Sequence, residues 1–425
     1  MADPYPVRPV SPEEFDAFHA VDEEAFFGRP LAQTQRAALI RKIEFDRTLA
    51  ALDGSTPVGI TAIWSLRMCL PGTVAPVAGV TYVAVLPTHR RRGILTSLMR
   101  RQLSDIRERG EAVAALFASE AEIYGRYGYG PASWQAAFSF GRGEGRLGRH
   151  APAAPDGGLR LRITEPEAAR AELAKVYEAV LPGRPGMYER DESWWDRVLG
   201  TGEAHKDEGD LLRCVIAEDG SGPRGYALYT ARMRWEEEGF LADGSLSVNE
   251  LAADGPVAAA ALWADLLSRD LVTTFTATQR PVDDPLQHML ADPRRTRRRV
   301  SDGLWIRLAH VPRALALRRY SCPADLVIEV TDDLLPGNAG RWRLATSGSA
   351  PGPDGVPGFA ASCEPATGPA DLALDVATLG AAYLGGTRLG ELAGAGLVSE
   401  HRRGAVAALS AAMSWDPAPW CPLIF

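Results

Sequence analysis

Neither a cysteine framework nor a histidine cluster runs through this sequence. The five cysteines (Cys69, Cys214, Cys322, Cys363 and Cys421) are odd in number, widely scattered and never in a CxxC pair. That pattern excludes a disulfide scaffold or a zinc framework and points to reduced thiols in a cytoplasmic protein. The seven histidines form no ligand-spaced group, so no metal is expected. No stretch approaches the ~18 uninterrupted apolar residues of a membrane span. The opening MADPYPVRPV lacks the basic start and apolar centre of a secretory signal. Surplus positive charge is missing too: a net charge of −8 argues against general nucleic-acid binding. Ser, Cys and His are nowhere grouped as a triad, which disfavours a covalent enzyme intermediate.

What is present is an ordinary globular composition, 46% apolar and 24% charged, on 425 residues. Single cores stop growing near roughly 250–300 residues, so two or three domains are expected. Two stretches echo each other in the same order. RPVSPEEF (8–15) is answered by RITEPEAA (162–169), and each offers a capping box, Ser11 with Glu14 and Thr164 with Glu167. DGSTPVG (53–59) matches DGSGPRG (219–225), each between strand-like runs and each read as a hairpin turn. VTYVAVLP (80–87) is answered by VNELAADGP (248–256), and a helical pattern follows both. Three matches in register indicate a duplicated α/β domain. Each copy reads strand, helices, hairpin meander, long central strand, helix, strand, short helix.

The Gly- and Pro-rich segment 141–158 reads as a linker, and the strand GLWIRLAH (303–310) as the end of the second copy. The domains are placed at 1–145, 158–300 and 301–425. The third segment does not repeat. It carries a Gly/Pro loop at 347–358 and an Ala/Leu-rich stretch, ADLALDVATLGAAYLGG (370–386). Its tail WDPAPWCPLIF is too rich in proline for a helix interior.

The stretch PTHRRRGIL (87–95) follows a strand and opens a helix. Unpaired first-turn amides and the helix dipole make such a start an anion site, and Gly93 removes a side chain where a phosphate would approach. Arginine at a helix N-terminus otherwise opposes the dipole, at up to about 1 kcal/mol. The competing reading is a solvated basic turn. Further on, VAALFASEAEIYGRYGYG (113–130) gives a strand, a third capping box (Ser119 with Glu122) and a short helix holding Tyr124. PRRTRRR (293–299), just before a strand, reads as a charged surface turn.

Residues 80–99 resemble motif A of the GNAT N-acetyltransferases: Arg90 and Gly93 fit the pattern, while Leu95 departs from its final small residue. ASEAEIYGRYGYGPAS together with PTHRRRGIL is similar to the Eis (enhanced intracellular survival) family along the whole chain. The resemblance implies tandem GNAT domains, the second degenerate, followed by a sterol-carrier-protein-like domain: an α/β (α+β) fold. It implies acetyl-CoA as cosubstrate. The backbone of Val83, Ala84 and Val85 would meet the pantetheine arm; Arg90, Arg91, Arg92, Gly93, Ile94, Leu95 and Ser119 would complete the donor site. Tyr124 would protonate the departing thiolate, whereas Tyr127 and Tyr129 are expected in the core. The carboxylate of Phe425 would serve as base, its apolar approach PLIF favouring burial. The second copy has DGPVAAA (254–260) in place of PTHRRRG and no tyrosine between Leu271 and His310, so it is expected to bind no acetyl-CoA. Asp22, Glu23 and Phe26 are candidates for the acceptor pocket, although the carboxylates also suit a solvated helix face.

The expected function is direct acetyl transfer to a primary amine, an aminoglycoside or polyamine-like small molecule modified at several positions. The alternatives are a protein lysine or N-terminal acetyltransferase and a non-catalytic lipid or small-molecule binding protein. The resemblance further implies a homo-hexamer. No nucleic-acid partner and no membrane span are expected.

Overall fold

The computed structural model describes residues 4–155, 158–201, 211–236, 240–351 and 357–425. Residues 1–3 of the N-terminal segment, 156–157 of the expected linker and 352–356 of the loop placed at 347–358 lie outside the described residues. The first copy runs β1 (Val7–Pro9), α1 (Phe15–Phe26), α2 (Gln33–Lys42), β2 (Leu49–Asp53), β3 (Thr56–Leu70), β4 (Thr73–Val85), α3 (Ile94–Glu108), β5 (Val113–Phe117), α4 (Ala121–Tyr124), β6 (Gly130–Pro131) and β7 (Trp134–Gly141). The second repeats that order: β8 (Arg160–Thr164), α5 (Arg170–Val180), α6 (Glu192–Leu199), β9 (Leu212–Asp219), β10 (Gly222–Arg232), β11 (Gly244–Ala253), α7 (Pro256–Leu267), β12 (Val272–Pro281), α8 (Leu286–Met289), β13 (Arg299–Asp302) and β14 (Leu304–Leu308). The remainder is α9 (Val311–Leu317), β15 (Asp325–Thr331), β16 (Gly340–Pro351), β17 (Pro357–Pro365), β18 (Leu372–Asp375), α10 (Val376–Ala382), α11 (Leu389–Gly394), β19 (Val398–Glu400) and α12 (Ala405–Met413).

Two seven-stranded sheets have the orders β1-β2-β3-β4-β5-β14-β6 and β13-β7-β12-β11-β10-β9-β8, and a five-stranded sheet has the order β17-β16-β15-β18-β19. The first two match strand for strand with one exchange: β7 enters the second sheet and β14 the first. GLWIRLAH therefore ends the second copy in sequence but completes the sheet of the first. It pairs with β5 from Leu304↔Phe117 to Leu308↔Val113, buried on both faces. By contact, the chain forms two compact units: Met1–Ser133 with Gly303–Pro419 and Ile424–Phe425, and Trp134–Asp302 with Trp420–Leu423.

Local chemistry explains most elements. Both predicted turns form, with Asp53 paired to Thr56 and Asp219 to Gly222. Glu14 reaches back to accept from the Ser11 amide at 3.0 Å, tying down the entry to α1. The matching box at Thr164 does not form: Thr164 stays in β8, and Glu167 instead accepts from Arg170 at 2.8 Å. The expected linker is not loose throughout, since Leu147 bridges to Leu290 and packs on the core of the second unit. PRRTRRR is an exposed turn whose Arg297 meets Glu144 at 3.2 Å. In the third segment Asp375 caps α10 by accepting from the Thr378 amide at 2.7 Å.

A buried ion pair ties this segment to the first sheet. Arg307 of β14 donates to both oxygens of Asp332 at 2.8 and 2.7 Å, and Asn338 donates to the same carboxylate at 2.9 Å. Removing either charge would strand the other in the interior, a loss of about 3–5 kcal/mol.

Candidate active site

The site begins where two strands part. β4 and β5 run parallel but pair only at Ala78↔Ala114 and Gly79↔Ala115. Beyond Gly79, β4 continues to Val85 against β3 alone, so its other edge is left to a cavity. A bulge at this point places Tyr82 and Val83 opposite the single residue Thr61. Tyr82 takes a positive φ of 52°, a costly choice for an aromatic residue, with its ring packed against Phe18 and Trp64. The buried Gln102 of α3 supports the bulge by donating to Thr61 Oγ1 at 2.8 Å.

A cavity of about 310 Å³ runs from this edge to the start of α3, lined by Val83, Ala84 and Val85, by Arg90, Arg91, Gly93, Ile94 and Leu95, and by Ser119 and Tyr124. Gly93 is the N-cap of α3 at φ 82°, and a Cβ built there meets nothing within 4 Å. The space beside Gly93 is thus open, and the amides of a helix's first turn have no acceptor within their own helix. Three arginines (Arg90, Arg91 and Arg126) face this cavity against one carboxylate, Glu120. The arrangement favours a polyanion. Arg92 departs from the expectation: it is not among the lining residues and donates to the Tyr5 hydroxyl at 2.8 Å.

Tyr124 ends the short helix α4 and is only 5% exposed. Burial pushes its phenol up to about 12, and the Ser119 hydroxyl, which stabilises the phenolate, opposes the shift. Ser119 does not cap α4, whose N-cap is Glu120; its hydroxyl serves Tyr124 instead. Tyr129 is a core residue packed edge-on to Tyr124 at 6.1 Å. Tyr127 is buried but not purely structural, because it lines the cavity with its hydroxyl 3.3 Å from Thr96 Oγ1.

A second cavity of about 300 Å³ adjoins the first and shares Phe26, Val83, Ser119 and Tyr124 with it. The chain end forms part of its wall. Phe425 is 6% exposed, its ring edge-on to Phe117 at 5.4 Å, and its terminal oxygen accepts from Thr81 Oγ1 at 3.4 Å. Gly79 permits this approach: a Cβ there would stand 3.2 Å from the Phe425 ring. Just before the end, the Trp420 amide donates to the Pro185 carbonyl at 2.8 Å and its indole to the Gln279 carbonyl at 2.6 Å, both within the second unit.

Of the three acceptor candidates, Phe26 lines both cavities, whereas Asp22 and Glu23 line neither. Burial raises the Asp22 carboxyl, and Glu23 lies 3.4 Å from His19 one turn back. Arg126, Thr81, Phe117 and the Tyr82 bulge were not anticipated. The only sequence signal was the proximity of Arg126 to Tyr124.

Comparison with known proteins agrees with this geometry. Residues 6–132 and 186–308 each match the acetyltransferase (GNAT) domain family, and residues 311–422 match the sterol carrier protein domain family. The fold and site define an N-acetyltransferase of the GNAT class, a class that uses acetyl-CoA. An uncharacterised N-acetyltransferase of Streptomyces coelicolor is 42% identical over 98% of each chain. The N-acetyltransferase Eis of Mycobacterium bovis is 35% identical over 88% of this chain and 85% of its own. The crystal structure of Eis1 from Mycobacterium abscessus superposes with a TM-score of 0.81 at 32% identity, covering 99% of this chain and all of that one. The chain belongs to the Eis family.

Proposed function

We propose that the first copy binds one acetyl-CoA and transfers its acetyl group directly to the primary amine of a small molecule. One observation carries this reading: the two cavities meet at Tyr124, Val83 and Ser119, so a donor in one and an acceptor in the other would react at that junction. The β4 edge offers amides and carbonyls to the peptide-like pantetheine arm, and the first turn of α3 with Arg90 and Arg91 offers a cradle for the pyrophosphate. A small amine is favoured over a protein lysine because Ile424 and Phe425 close part of the second cavity.

The neutral amine attacks the thioester carbonyl, whose developing negative charge falls near the amides of the bulge. A terminal carboxylate of pKa about 3.5 cannot strip an alkylammonium of pKa about 10 in one favourable step. The Phe425 carboxylate instead orients the amine and receives its proton as the N–C bond forms, when the nitrogen becomes far more acidic. The C–S bond then breaks, and the Tyr124 hydroxyl donates to the leaving sulfur. At about 12 this phenol is protonated throughout the physiological range. Full transfer to a thiolate of pKa about 8.5 would be uphill by about 5 kcal/mol, so donation must coincide with return of a proton to Tyr124 from solvent. That return is matched by loss to solvent of the proton that the Phe425 carboxylate took from the amine. Release of free thiol from acetyl-CoA and an added amine tests the reading. Turnover by wild type and its loss in Tyr124→Phe are expected, and equal rates would overturn the role of Tyr124.

A further inference from the structure

The acceptor cavity and the donor cavity differ in charge. His89, Arg90, Arg91, Arg126 and Glu120 line the donor side, whereas among the described residues no Asp, Glu, Lys, Arg or His side chain lines the acceptor side. Its walls include Phe26, Val80, Leu116, Phe117 and Ile424, and Thr81, Ser119 and Tyr124 also line it. Among the described lining residues the one formal charge is the carboxylate of Phe425. Asp22, Glu23 and Glu24, on the same helix as Phe26, are not among the lining residues.

We propose that the acceptor is a compact monoamine with one cationic nitrogen on an aryl or alkyl body, not a polycation. This rests on the acetyltransferase reading above. One carboxylate neutralises one ammonium. A second cation brought into the same cavity would exchange its hydration for apolar walls with no counter-charge, the costly case for a buried ion. The apolar body, by contrast, gains from every wall, and the edge-to-face pair of Phe117 and Phe425 presents aromatic surface to an aryl group. Ile424, 43% exposed and next to the chain end, lines this cavity with an apolar side chain, so a carboxylate introduced there would supply a second negative charge.

The test is thiol release by the full chain with acetyl-CoA and 2-phenylethylamine, hexylamine, spermidine, kanamycin or a lysine peptide, with coenzyme A binding measured separately by calorimetry. The two monoamines are expected to exceed spermidine and kanamycin in kcat/KM by at least about 100-fold. Ile424→Glu is expected to narrow that ratio about tenfold or more by gaining polyamine turnover and losing phenylethylamine turnover. Equal or better turnover of spermidine, kanamycin or the peptide by the wild type overturns the substrate class and leaves the acetyltransferase reading intact. Binding of coenzyme A without thiol release for any amine overturns that reading itself.

Discussion

The two GNAT copies share a strand order, yet they treat the same opening in opposite ways. In the first, β4 parts from β5 after Gly79, and Val83 and Ser119 border open space. In the second, β11 pairs with β12 through Val248↔Ala277, and the region beyond is filled from within. Counted along the strands from Gly79↔Ala115 and Ser247↔Thr276, Arg280 falls at the position of Ser119, beyond a register shift between Ala277 and Arg280. Its guanidinium donates to the carbonyl of Leu251, the counterpart of Val83, at 3.0 Å and to Asp284 at 2.8 Å. The helix start differs in composition: Asp254 and Gly255 lead into buried Ala258, Ala259 and Ala260, with no arginine in the first turn. At the end of the short helix, Met289 stands in the core where Tyr124 stands at the junction. A fold can thus keep every strand of a coenzyme site while one arginine satisfies the edge the coenzyme would have used. What the second copy holds instead is the tail, through Trp420, whose ring lies 5.2 Å from the Arg280 guanidinium.

The most severe way to break this contrast is to build the second copy into the first. Ser119→Arg should occupy the opening at Val83 and remove acetyl-CoA binding, with a loss of at least about 10³-fold by calorimetry and an unchanged circular dichroism spectrum. Tyr124→Phe, which removes the junction hydroxyl but not the cavity, should lower kcat about 10³-fold and leave coenzyme A affinity within about twofold. Adding one residue after Phe425, or deleting Phe425, should lower kcat about 10²-fold, again with little change in coenzyme A binding. In the second copy, Arg280→Leu strands Asp284 in the interior and should cost about 3–5 kcal/mol in chemical denaturation without altering coenzyme stoichiometry. The smallest effect concerns pH. With the phenol at about 12, Tyr124 carries its proton below that value, so kcat should not fall between about pH 8 and pH 10. A decline in that window that vanishes in Tyr124→Phe would contradict the assignment.

The parts legible in the sequence were those set by local chemistry. PTHRRRG announced a helix start, which falls with Gly93 as the N-cap, and DGSTPVG and DGSGPRG announced two hairpins. The strand exchange was not legible, since β7 and β14 follow their copies in order and either sheet would bury their apolar residues. Nor was the bulge, because a left-handed Tyr82 contradicts the residue's own preference and is seen only in the tertiary structure, where its ring packs on Phe18 and Trp64. Ser119 illustrates a half-correct inference: a short helix does begin there, but the hydroxyl serves Tyr124 rather than the helix. Arg92 sits in the same basic run as Arg90 and Arg91, and only the position of Tyr5 separates it from them.

The central claim is that the open edge of the first copy, and not the filled edge of the second, takes the coenzyme. Isothermal titration of the wild-type chain with coenzyme A measures this most directly. One molecule bound per chain, lost on Ser119→Arg and retained on Arg280→Leu, is the predicted result. Two bound molecules, none, or one that survives Ser119→Arg would contradict it.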